Sequence, residues 1–210
     1  MKSAYLIGIN HNDPFGRQNA IRIMHRLKAR GVEPDYIAVE WKEGFAKKLI
    51  SWRPSLELKA KESFSGLSDK DIELLGSALA FEADCGQEVF PGSPTIWLDA
   101  KRCITQTPAQ FVENRIKTYR QQWNGFEPMS LEELRTRIIL IAKNGTPKSS
   151  SRDQDFFNAI IEKEHSTNFT IIGIVGKDHT YMNVEGTFAE RLLSRGYVVK
   201  VFDGTIMQSV

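Results

Sequence analysis

The chain has 210 residues, of which 41% are hydrophobic and 26% charged, a composition that excludes the disordered and collagen-like classes. A formal net charge of +2 leaves no electrostatic footprint for nucleic acid or an anionic membrane. No apolar run approaches the ~20 residues that span a bilayer.

A chain of this length can bury a large core without staples, and a single domain over 1–210 is expected. Met1-Lys2-Ser3 leads straight into an apolar stretch with no cleavage site behind it, so cytoplasmic residence is expected. Cys85 and Cys103 are too few, and wrongly spaced, for a disulfide framework or a metal pair; they read as free thiols.

In chain order, residues 4–9 (AYLIGI) read as a buried strand. Residues 18–29 carry apolar side chains at Ile21, Met24 and Leu27, the spacing of a helix, and Gly31 is placed to stop it. Residues 36–39 predict the second strand and 43–50 a short helix broken before Pro54. Ser68 opens a helix through about residue 82. Residues 95–98 predict a third strand, and 108–123 and 131–143 two helices, the first with proline in its first turn. The run 144–151 (NGTPKSSS) is polar and turn-rich, the best place for a mobile loop. A helix over 153–164, a wholly apolar strand over 170–175, a helix over 185–195 stopped by Gly196, and a last strand over 197–202 complete the chain.

Strands alternating with helices predict an α/β fold with a mainly parallel sheet flanked by helices. The apolar character of each strand fits a sheet covered on both faces. The stretch 54–124 holds more helix than such a sheet requires, which suggests a helix-rich insertion or lid within the domain.

Each predicted strand is followed by chemistry. Asn10-His11 comes after the first, Glu40 after the second, Asp99 after the third, and Gly176-Lys177-Asp178-His179 after the fourth. In a parallel sheet these carboxyl ends share one edge, where ligands bind. One loop histidine is most often a surface residue, and one carboxylate after a strand is often only a helix cap. Four such positions together point further, since imidazole and carboxylate are the usual ligands of Zn, Mn, Fe and Co. His25 and His165 sit among charges in helical stretches and are assigned no role. Gly8-Ile9-Asn10-His11 and Gly176-Lys177-Asp178-His179 also share the pattern G-x-x-H, each closing a predicted strand.

These motifs resemble the TraB/Tiki superfamily, which includes erythromycin-esterase-like and ChaN-like proteins. The similar positions are Gly8 and His11, Glu40 in Ile37-Ala38-Val39-Glu40, and Gly176 and His179. Glu82 resembles a mid-chain helical glutamate of the TraB-like branch. Asp99 and Arg102, here with two residues between them, resemble its Asp-Arg pair. Arg152-Asp153 resembles an Arg-Asp pair that opens the helix before the final G-x-x-H. The resemblance implies a parallel sheet with helices around it and, in some branches, metal-dependent hydrolysis of peptide or ester bonds; another branch binds haem.

On that reading His11, His179 and Glu40 would hold a divalent metal (Mn, Co or Zn), with Glu40 as ligand or general base. Glu82 would be a second acid or base, and Arg152 would steady an oxyanion or a substrate carboxylate. Asp99, Arg102 and Asp153 would line the pocket. The expected partner is a small-molecule or peptide substrate, with no nucleic acid and no membrane, and a homo-oligomer is allowed. The alternative is a protein on the same fold that binds a metal, haem or small ligand without turnover, with Trp41, Phe90 and Trp97 lining an apolar pocket. A P-loop reading of Gly173–Lys177 fails on glycine spacing, and no serine stands in a nucleophile elbow.

Overall fold

The computed structural model describes residues 1–79, 81–100, 105–123, 130–142 and 148–205, and their side chains except at 81, 82, 122, 123 and 137–142. Five strands, β1 (Ser3–Ile9), β2 (Tyr36–Val39), β3 (Thr95–Trp97), β4 (Thr170–Gly176) and β5 (Val198–Asp203), form one sheet in the order β3-β2-β4-β1-β5. Every neighbouring pair is parallel. The expected α/β architecture is thus present.

The helices are α1 (Gly16–Ala29), α2 (Glu43–Ser63), α3 (Asp69–Ser77), α4 (Phe81–Val89), α5 (Pro108–Trp123), α6 (Leu131–Ala142), α7 (Ser151–Ile161) and α8 (Phe188–Ser194), with a 3₁₀ turn at Lys177–Thr180. None among the described residues is long and apolar enough to cross a membrane.

The apolar run TIIGIVG, buried at every position after the first, suits β4 to the central place in the sheet. Side chains alternate across the sheet. Ile171 and Val175 join Phe156 and Ile160 of α7 and Phe188 and Leu192 of α8 in one core. Ile172 and Ile174 join Met24 and Leu27 of α1 and Cys85 and Val89 of α4 in the other. A third cluster, away from the sheet, joins α2, α3, α5 and α6 through Leu56, Ile72, Ile116 and Leu134. Gly31 and Gly196 stop α1 and α8 with φ of 75° and 90°, a region open to glycine at no steric cost.

Two helices differ from expectation. Proline does not break α2, which runs on through Pro54 for 21 residues. Its buried stripe of Phe45, Leu49, Trp52, Leu56 and Ala60 continues on both sides of the proline. Each large buried side chain contributes about 1.5–3 kcal/mol, which together outweighs the ~3 kcal/mol that an internal proline costs. The stretch expected as one helix from Ser68 is two. Here α3 packs on α2 while α4 packs on α1, and one straight helix cannot serve both partners. Ser68 does cap α3, accepting the Asp71 N–H at 3.2 Å.

Smaller differences lie at the ends. The helix expected to 164 stops at Ile161, so His165 follows it rather than lying within it. The last helix starts at Phe188, where Thr187 caps it by accepting the Glu190 N–H. Cys85 is buried in the core between α4 and α1. Cys103, Arg102 and the first half of the turn-rich run, 144–147, fall outside the described residues.

Candidate active site at the carboxyl edge of the sheet

The parallel register places Ile9 beside Gly176 and Val39 beside Ile174, so the residues after β1, β2 and β4 emerge on one edge. After β1 the chain turns tightly. Asn10 Oδ1 accepts the Asn12 N–H at 3.0 Å, the Asp13 N–H donates to Asn10 O at 2.9 Å, and Asp13 Oδ1 accepts the Phe15 N–H at 2.9 Å. This turn carries His11. After β4 the 3₁₀ turn, tied by Thr180 Oγ1 donating to Lys177 O at 2.7 Å, turns His179 inward.

Everything converges on Glu40, whose side chain is 3% exposed. Its Oε2 accepts the Gly176 N–H and lies 3.3 Å from His11 Nε2. Its Oε1 lies 2.8 Å from Arg152 Nη2 and 3.6 Å from His179 Nε2. Arg152 Nη2 also donates to Asp99 Oδ2 at 2.7 Å, so Asp99 is more than the helix cap it resembles in sequence. Arg152 Nε is buried without a hydrogen-bond partner among the described residues.

The far nitrogen of His179 is held as well. Its Nδ1 lies 2.8 Å from Asp153 Oδ1, which also accepts the Phe188 N–H at 2.6 Å. Asp153 Oδ2 accepts from Ser150 N and Oγ at 2.7 and 3.0 Å. One fully buried carboxylate therefore starts α7, joins α8 and orients His179. The Phe156 ring, 4.9 Å from the imidazole, closes the other side.

The charges are set by this packing. Burial would push the Glu40 carboxyl up, but the His11 and His179 imidazoles hold it well below the carboxylate range. Burial likewise opposes a proton on His179, yet the Asp153 and Glu40 carboxylates raise it from 6.5 to about 9. Asp153 is lowered against its burial by His179 and the Ser150 and Phe188 N–H groups. At neutral pH His179 is an imidazolium between two carboxylates. His11 and Arg152, with side chains 32% and 34% exposed, are the open side of the cluster.

Gly176 explains how close the parts lie. A Cβ there would stand 3.1 Å from both Glu40 Oε2 and His11 Nε2, so a side chain would crowd the point where carboxylate and imidazole meet. Of the expected residues, His11, Glu40, Asp99, Arg152, Asp153 and His179 come together. Glu82 falls in α4, but its side chain is not among those described. Trp41 and Phe90 are buried in apolar clusters and Trp97 packs against both; Trp41 sets its ring 6.2 Å from His11 in edge contact.

No family model, no curated protein and no solved structure matches this chain. What the site does is argued from its own chemistry.

That chemistry suits a divalent metal in donor kind. Two imidazole Nε2 atoms face one carboxylate, and His179 carries the outer carboxylate that ligating histidines commonly have. In arrangement, no group of three or more His, Cys, Asp or Glu side chains among the described residues stands ready to hold an ion. Coordination asks His179 to give up its proton and the rings to re-aim.

Proposed function

We propose that this chain is a hydrolase of ester or peptide bonds with its centre at Glu40, His11 and His179, and that these three hold a divalent Mn, Co or Zn ion. The observation that supports this reading is the convergence of both imidazole Nε2 atoms on one buried carboxylate, at 3.3 and 3.6 Å, with a guanidinium beside it.

A bound ion would lower the pKa of a water molecule and polarise a carbonyl. Glu40 is assigned to holding rather than to proton transfer, because a carboxylate kept this far below its usual range accepts a proton poorly. Asp153 fixes the rotation of His179 and leaves Nε2 aimed at Glu40. Arg152, anchored by Asp99 and Glu40, offers its open side to the charge that develops on a carbonyl oxygen or to a substrate carboxylate.

A second reading draws on the His11 Nε2–Glu40 Oε2 contact. A half-buried imidazole oriented by a buried carboxylate would be the base of a metal-free hydrolysis.

The test starts from protein purified without an affinity metal. It combines elemental analysis, calorimetric titration with Mn, Co and Zn, and turnover of nitrophenyl esters and peptide anilides with and without chelator. Under the first reading, His11→Ala and His179→Ala each weaken metal binding by about 10- to 100-fold or more, and chelation stops turnover. Chelator-resistant turnover that His11→Ala abolishes selects the second reading. Metal binding without turnover of any substrate selects a binding protein, and equal metal binding by wild type and both variants ends the metal reading.

A further inference from the structure

We propose that Arg115 of α5 and Arg135 of α6 are positioning residues for His11, so that the helical layer outside the sheet helps to build the site; this rests on the reading of His11 as a working residue. β1 ends at Ile9, and the turn beyond it lies outside the strand's ladder. Besides the bonds within the turn, residues 11, 12 and 13 are held by two helices more than a hundred residues away in sequence.

Arg115 Nη1 donates to His11 O at 3.1 Å and also to Asn12 Oδ1. Arg135 Nε lies 3.3 and 3.4 Å from Asp13 Oδ1 and Oδ2, and its Nη2 donates to Thr205 O at 2.6 Å. Asp13 is fully buried and Arg135 nearly so.

A buried ion pair is weak evidence for stability, since apolar side chains of equal volume do as well. What the arginines supply is direction. A guanidinium donates along fixed lines in one plane, and a bond to a carbonyl fixes the peptide plane behind it. Holding the His11 carbonyl therefore sets the Cα–Cβ direction of His11. That direction puts Nε2 3.3 Å from Glu40 Oε2 and the ring edge-on to Trp41 at 6.2 Å. Misplacing a reacting group by about 1 Å costs on the order of 100-fold in rate, so such a clamp matters for chemistry beyond what it adds to folding.

The experiment uses the whole chain, labelled at histidine, and follows the ring proton–carbon signals by NMR, with His11 assigned through His11→Ala. His25 and His165 are internal references, and the Trp41 ring makes the His11 signals sensitive to orientation. In Arg115→Ala the His11 signals move and broaden while those of His25 and His165 stay. Arg115→Lys restores part of the wild-type position, because a single nitrogen makes both contacts. Arg135→Lys moves the same signals. If wild type turns substrate over, Arg115→Ala lowers kcat by about 100-fold with KM little changed.

Should Arg115→Ala fail to fold, the signals of Arg115→Lys and Arg115→Gln decide between the two outcomes. A folded Arg115 variant whose His11 signals coincide with wild type overturns the proposal, even if His11→Ala still abolishes turnover. A wild type without turnover overturns the hydrolase reading and leaves this one to be decided by the NMR signals alone.

Discussion

At the residue scale, the imidazole of His179 is the best probe of the site. Its pKa is raised in the fold from 6.5 to about 9, so the folded protein holds this proton more tightly than the unfolded chain does. The stabilisation is complete below about 6.5 and is lost as pH rises through 9; it is on the order of 3 kcal/mol. Glu40 and Asp153 are lowered and act with the opposite sign. Their contribution is present above about 4.5 and fades as pH falls below that. Calorimetry of the metal-free protein across pH 4–10 should show the highest melting temperature between about 5 and 6.5 and a decline toward 9. His179→Gln should flatten that decline, and parallel curves for the two proteins would show that His179 does not sit between the two carboxylates. Much of this cluster is legible in the sequence, because each member directly follows a strand or opens a helix. Arg115, Arg135 and the Gly176 N–H are not legible. Their contacts join residues 103 to 136 apart, and nothing local in a sequence marks an arginine for a particular distant carbonyl.

At the element scale, α2 carries an identifiable cost. Pro54 is exposed inside a helix of 21 residues and has no N–H to offer the carbonyl four residues back. Pro54→Ala should stabilise the protein by about 2 kcal/mol, the ~3 kcal/mol helical penalty less the chain entropy that alanine returns to the unfolded state. A rise in the denaturation midpoint at unchanged slope would bear this out, and a fall would mean that the ring packs usefully against its surroundings. The strands are the most readable elements, since β2 is found at the expected residues and β4 differs by one at its end. Strands of this kind announce themselves by unbroken apolar runs. The helices over 43–89 are less readable, because proline and propensity are local signals. Where a helix continues or divides depends on which neighbour buries it, and that belongs to the assembled molecule.

At the scale of the whole molecule, the sheet order decides how the pieces can come together. β1 lies between β4 and β5, with Ser3 paired to Thr170 on one side and to Val198 on the other. At about 5–20 residues per second of synthesis, β1, made before β4 and β5, waits roughly 8 to 30 s for its neighbours to exist. Until then AYLIGI is an unpaired apolar segment of the sort that chaperones shield and that seeds aggregation. A chain cut before β4, ending at residue 165, should therefore be insoluble or bound to chaperones, with no protected amides in β1 by hydrogen exchange. A soluble fragment with β1 amides protected would contradict this. The two G-x-x-H segments stand on β1 and β4, the pair that closes across this long separation. A form in which β1 and β4 have not paired lacks the meeting of His11 with Glu40 and His179.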